Sequence, residues 1–381
     1  MLIRGARVLT AGGLIRAGWV WIEEGRLRAL GEEPAPDVPD AELLDAGGLW
    51  LAPGLIDIHV HGALGYDTMD ASPKALHEMA RFYARHGVTA FLATTMTAPL
   101  PGIMAALHNI ADMMSRDTGG AALLGAHVEG PYLDVERRGC QDPSLVRLAQ
   151  PNEYEPIFDT GVVRLLTLAP EIPANEPLIR RAVERGVAVA MGHTRASYEQ
   201  VRRAVNLGVS QVTHLFNGME PLHHRAPGAV GAALTLDGLW CQLIADNVHI
   251  HPAVLELAVR IKGPERIILV TDAMSGTGMP DGEYQLGGLV VTVREGVARI
   301  ADGALAGSTL TLERGVRHIM AAAHLSLERA LPMASEVPAR ALGLQRKGRI
   351  ATGMDADLVL LDDEMNVLLT MVGGKIVYRR A

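Results

Sequence analysis

The sequence predicts an α/β protein, a (β/α)8 TIM barrel joined to a small β-sandwich domain formed from both termini. Three observations predict it: eight apolar runs alternate with amphipathic helical stretches through the middle, both ends are strand-like without helical period, and 381 residues exceed what a barrel alone takes, roughly 250. The chain divides accordingly into 1–52 and 345–381 for the small domain and 53–344 for the barrel.

In chain order, Leu2 to Leu9, Gly18 to Glu23 and Arg26 to Leu30 are short β segments punctuated by Gly, which reads as hairpins. The eight runs that follow are Leu55 to His61, Thr89 to Thr95, Ala122 to Glu129, Val163 to Pro170, Val187 to His193, Gln211 to Asn217, Trp240 to His249 and Arg266 to Asp272. Near-continuous apolar runs of this length suit parallel strands buried on both faces. Helical spacing lies between them, as in Pro73 to His86, Asn175 to Arg185, Tyr198 to Leu207 and Pro252 to Ile261. Glu283 to Ile300, with alternating Val and Gly, reads as a hairpin inserted after the eighth strand. From Gly348 to Tyr378 the β texture returns, strongest at Ala356 to Leu361 and Lys375 to Tyr378.

Composition narrows the function classes. The formal net charge is −8 and the basic residues are scattered, so no nucleic-acid footprint is present. No apolar run approaches the roughly 18 residues that would span a bilayer, and the N-terminus carries no signal-peptide pattern. The two cysteines, Cys140 and Cys241, sit in no Cys-x-x-Cys pattern, which suits reduced thiols in a cytoplasmic protein.

The 14 histidines are placed unusually: several end apolar runs rather than lying on polar helix faces. In a barrel the C-terminal strand ends converge on one mouth, where chemistry sits. Six runs end there in a metal-capable or acid/base group: His59 with His61, Glu129, His193, His214 followed by Asn217, His249, and Asp272. His59 and His61 stand two apart on a strand, so both imidazoles can face one ion. Glu129 is a carboxylate in an otherwise apolar strand, costly to bury without a cation.

These segments resemble the amidohydrolase superfamily, and within it the deacetylases of N-acetylated hexosamine 6-phosphates. The likeness runs through Pro53 to Gly62, His127-Val128-Glu129-Gly130-Pro131, Gly192-His193-Thr194, Thr213 to Met219, Ala245 to His249, Leu269 to Ala273, Gly307 to Thr311 and Gly353 to Val359. The resemblance implies that Glu129, His193 and His214 bind one divalent metal, that His59 and His61 bind a second with Glu129 bridging, and that Asp272 adjoins. Ligands of nitrogen and carboxylate without thiolate suit Zn, Fe or a similar ion, one or two per subunit. It further implies that Asp272 takes a proton from water and delivers it to the leaving amine, while His249 polarises the acetyl carbonyl. Arg225, Asn217 and Gly218 match substrate-binding positions, with Arg225 on the phosphate, and Cys140, Gln141, Leu305 and Gly307 complete the expected substrate surface. A homodimer is implied as well, its neighbour contributing near Arg225.

The implied reaction converts N-acetyl-D-glucosamine 6-phosphate to D-glucosamine 6-phosphate and acetate, in amino-sugar catabolism. Many relatives carry a His where this chain has Gln141, which brings no charge to a sugar hydroxyl or phosphate. The galactosamine epimer is therefore the alternative substrate. Cyclic-amide hydrolases of the superfamily bridge their metals through a carboxylated Lys at strand four, whereas the barrel holds only Lys74 and Lys262, both in helical stretches. An inactive scaffold should have lost a ligand or the Asp, and none is lost.

Overall fold

The computed structural model describes residues 1–380. Eight parallel strands, Leu55–Val60, Val88–Thr95, Ala122–Glu129, Val163–Leu168, Ala188–Met191, Val209–Val212, Trp240–Ile244 and Ile267–Val270, pair in chain order. The first and last meet through a parallel bridge between Val60 and Ala273, and the Asp272 N–H donates to the His59 carbonyl at 2.9 Å. The barrel is thereby closed next to the residues of greatest chemical interest.

Strand faces divide the barrel into layers. Phe91, Ala126, Val128, Leu166 and Leu168 pack outward against the helices, while alternate positions point inward, as the period of two requires. The inward positions change character along each strand: Leu92 is followed by Thr94, and Leu165 by Thr167. Thr94, His127, Thr167 and Thr213 then form a buried polar belt, with His127 Nε2 and Thr167 Oγ1 at 2.7 Å and the Thr167 and Thr213 hydroxyls at 2.7 Å. Partnered in this way, the belt avoids the cost of burying unsatisfied polar groups.

Helix boundaries follow local chemistry. Tyr198–Leu207 begins at a capping box, Ser197 accepting from the Gln200 N–H while Gln200 accepts from that of Ser197. It ends at Gly208, whose φ of +114° suits a residue without Cβ. Pro73–Arg85 and Pro252–Lys262 start with proline in the first turn, where a missing N–H costs nothing.

Six of the eight strands end before the apolar runs do, the fifth, sixth and seventh with the most consequence for the site. The fifth stops at Met191 and the sixth at Val212, because His193 and His214 adopt positive φ, +48° and +31°, and leave the ladder. The seventh stops at Ile244, five residues before His249. The inserted segment has three strands rather than two: Gly282–Leu286, Leu289–Arg294 and Val297–Arg299. Its first turn is tied to the barrel mouth by Asp67, which accepts from the Gly287 N–H at 3.2 Å.

Both termini build one sheet. Leu2–Thr10, Gly13–Glu23, Arg26–Glu32 and Trp50–Pro53 join Leu358–Leu361, Val367–Val372 and Lys375–Arg379 in a single hydrogen-bonded path, and Leu43–Asp45 pairs with Leu2–Thr10 off that path. The path folds over itself, since the Leu27 N–H donates to Met354 O at 2.9 Å, and encloses a separate core that includes Ile3, Val20, Leu51, Leu358 and Met371. The sandwich expected from the sequence is thus one continuous sheet. Among the described residues no helix is long and apolar enough to cross a membrane.

Candidate active site

The strand ends bring the ligand candidates into two groups that share one carboxylate: His59, His61 and Glu129, and Glu129, His193 and His214. Glu129 Oε1 lies 3.2 Å from both His193 Nε2 and His214 Nε2, while Oε2 lies 3.3 Å from His61 Nε2. The paired imidazole nitrogens are 3.1 Å apart in His193/His214 and 3.3 Å apart in His59/His61. Zinc–nitrogen bonds of about 2.0–2.1 Å at tetrahedral angles would separate two nitrogens by about 3.3 Å. The donor set therefore fits a divalent ion on either side of Glu129. His193 Nδ1 faces the Arg137 carbonyl at 3.0 Å, which makes it the protonated nitrogen and leaves Nε2 bare for an ion.

Electrostatics agree with this arrangement. Burial alone would raise the Glu129 carboxyl, but His59, His193 and His214 override it and hold it well below the usual range. Burial likewise opposes ionisation of Asp272, yet His59 and His61 bring it down to about 2. Burial depresses the His61 imidazole, and hydrogen bonds to Asp272 and Glu129 outweigh that effect and raise it to about 10. The ion-free cluster consequently carries a proton on His61 at neutral pH, which a metal must displace. Zn²⁺ uptake should release protons, and affinity should strengthen as pH rises from 6 to 8. Calorimetry in buffers of different ionisation enthalpy measures this, and a pH-independent affinity with no proton release would contradict it.

Asp272 has a φ of +51° and its Oδ1 lies 3.2 Å from His61 Nε2. Left-handed backbone at His193, His214 and Asp272 turns three strand ends toward one point, a strain that the closed barrel sustains. Gly307 lies against this turn: a Cβ there would stand 2.8 Å from the Asp272 carbonyl, and its own φ is +60°. His249 faces the same pocket, with Nδ1 held by Asp246 Oδ2 at 2.7 Å. Asp246 also accepts from the N–H groups of Val248 and His249, so the carboxylate fixes both loop and ring. Burial opposes ionisation of Asp246, but the His249 contacts prevail and lower its carboxyl.

The remaining expected residues separate into those at the pocket and one outside it. Cys140, Gln141, Asn217, Gly218, Leu305 and Gly307 line the pocket, together with Met96, Leu286 and Ala304. Burial pushes the Cys140 thiol up, so it stays a neutral lining group. Gln141 turns its amide inward: its Oε1 accepts from the Thr97 N–H at 2.8 Å and its Nε2 donates to Glu129 Oε2 at 3.1 Å. The Asn217 amide nitrogen contacts the His214 and Leu215 carbonyls. Arg225 lies outside the pocket on an exposed loop, 2.7 Å from His224 Nε2.

The model for the amidohydrolase family matches residues 50–377. The chain belongs to the amidohydrolase family. It is 38% identical, over 99% of its length and 97% of the relative's, to the N-acetylglucosamine-6-phosphate deacetylase of Bacillus subtilis (strain 168). It is also 39% identical, over 98% of both chains, to the N-acetylgalactosamine-6-phosphate deacetylase of Escherichia coli O157:H7. Among solved structures, a mutant N-acetyl-D-glucosamine-6-phosphate deacetylase from Mycobacterium smegmatis in complex with N-acetyl-D-glucosamine-6-phosphate superposes with a TM-score of 0.93, at 36% identity and 99% coverage of each chain.

Within this amidohydrolase the sequence reading missed Asp246, although it stands three residues before His249 in the segment that carries the resemblance. It missed Gln242 altogether, whose Oε1 lies 3.3 Å from His59 Nδ1. A glutamine in the middle of a buried strand was the available signal.

Proposed function

We propose that this amidohydrolase removes the N-acetyl group from N-acetyl-D-glucosamine 6-phosphate, giving D-glucosamine 6-phosphate and acetate, as a cytoplasmic homodimer in amino-sugar catabolism. The observation that carries the reading is one pocket into which His61, Glu129, His193, His214, the Asp272 carboxylate and His249 all open. One or two ions of Zn, Fe or a similar metal would be held by Glu129, His193 and His214 and by His59 and His61. A bound divalent ion supplies Lewis acidity, lowering the pKa of water and polarising a carbonyl.

The chain's own groups supply the rest. Asp272, ionised throughout the neutral range, accepts a proton from the attacking water as its oxygen bonds to the acetyl carbon. It returns that proton to nitrogen as the carbon–nitrogen bond breaks, so acetate and the free amine leave in balance. His249 polarises the acetyl oxygen, where charge develops, its ring held in place by the 2.7 Å contact of Nδ1 with Asp246.

A protein of net charge −8 must concentrate positive charge locally to hold a phosphorylated sugar. We assign the phosphate to Arg225, with the neighbouring subunit completing that region. The likeness to an N-acetylgalactosamine-6-phosphate deacetylase makes the 4-epimer the second reading. Steady-state rates on both epimers, each with and without phosphate, decide between them. Arg225→Ala should raise KM for the phosphorylated sugars about tenfold to a hundredfold, as loss of a hydrogen bond to a charged group implies, with little change in kcat. Equal kcat/KM on the unphosphorylated sugars would overturn the role of Arg225.

A further inference from the structure

The inner face of the barrel carries two glutamines that the reaction does not use, Gln211 and Gln242, both fully buried. They form a chain of hydrogen bonds that ends on His59. Gln211 Nε2 lies 3.3 Å from the Ala341 carbonyl, Gln242 Nε2 lies 3.2 Å from Gln211 Oε1, and Gln242 Oε1 lies 3.3 Å from His59 Nδ1.

The chain can run in one direction only. Ala341 is the last residue of the helix Glu336–Ala341, and its carbonyl belongs to the final turn, where helical carbonyls have no intrahelical N–H partner. A carbonyl only accepts, so Gln211 must present its NH2 there and its oxygen to Gln242. Gln242 must in turn present its NH2 to that oxygen and its own oxygen to His59. Reversing either amide would set two acceptors against each other in a buried site. His59 Nδ1 is thereby the protonated nitrogen, and Nε2 is left bare beside His61 and Glu129.

We propose that Gln242 and Gln211 are positioning residues that fix the ring and the protonated nitrogen of His59 for the metal site at His59 and His61. The inference rests on the metal-centre reading above and deepens it by naming the groups that orient one of its ligands. His193 has the corresponding arrangement in a single step, its Nδ1 facing the Arg137 carbonyl. In the first half the supporting acceptor is a side chain, itself oriented by a helix end 130 residues distant in sequence from Gln211. Partners behind a ligating imidazole typically change metal affinity by about 10- to 100-fold.

The test uses full-length protein, stripped and reloaded with Zn²⁺, with metal content by mass spectrometry, affinity by chelator competition and positions by anomalous diffraction. Wild type should hold two ions per subunit. Gln242→Leu should weaken the His59/His61 ion about 10- to 100-fold and leave the other ion in place, and Gln211→Leu should act in the same direction. If Gln242→Leu fails to fold, Gln242→Met and Gln211→Leu carry the comparison. One ion in the wild type, two tightly held ions in Gln242→Leu, or equal loss of both ions would each overturn the proposal. Metal content is read without substrate, so protein that holds two ions but releases no acetate would contradict the deacetylase reading alone.

Discussion

Asp272→Asn should reduce acetate release from N-acetyl-D-glucosamine 6-phosphate by about 10²- to 10⁴-fold in kcat, the range for removal of a positioned acid/base. Asparagine keeps the size of the side chain and an acceptor oxygen toward His61, which Asp272 Oδ1 approaches at 3.2 Å. It also tolerates left-handed backbone better than most residues, which matters at a φ of +51°. The variant should therefore fold and retain the ion at Glu129, His193 and His214. Steady-state kinetics, metal content and a thermal melt on one preparation separate loss of proton transfer from loss of structure. Parent-like kcat would remove Asp272 from the reaction.

Glu129→Gln should have the broader effect, because one carboxylate serves both groups of imidazoles. Its Oε1 faces His193 and His214, and its Oε2 faces His61 and the Gln141 amide. A neutral amide offers a weaker ligand on one side and a donor on the other, so metal content should fall toward zero and activity with it. The ion-free fold should suffer too, since His61 is charged there and loses a buried counter-charge. Removing one partner of a buried pair costs about 3–5 kcal/mol, discounted here because Asp272 remains beside His61. Thermal denaturation and metal analysis measure both consequences, and Glu129→Gln protein that binds two ions would contradict the bridging role.

The sequence disclosed the barrel because strands buried on both faces leave continuous apolar runs, and Ala122–Glu129 and Tyr198–Leu207 coincide with their elements residue for residue. Strand ends were less legible. His193 and His214 continue the apolar pattern of their strands, and only the backbone shows that they turn left-handed and leave the ladder. Glu129 stood out because a lone carboxylate among apolar neighbours demands compensation. Gln242 did not, since its meaning depends on Gln211 and on a helix end far along the chain. Gln141 was visible as a departure in its loop, but its inward aim is set by the Thr97 N–H on a different loop. Arg225 was singled out by resemblance alone, and a single subunit leaves it on an exposed loop outside the pocket.

The most direct test of the account is acetate release by protein loaded with Zn²⁺ or Fe²⁺, with N-acetyl-D-glucosamine 6-phosphate as substrate and Asp272→Asn protein assayed alongside. Stoichiometric acetate and free amine from the parent, with the variant at least about a hundredfold slower, is the predicted result. No acetate from either N-acetylated hexosamine 6-phosphate, or equal release by parent and variant, would contradict it.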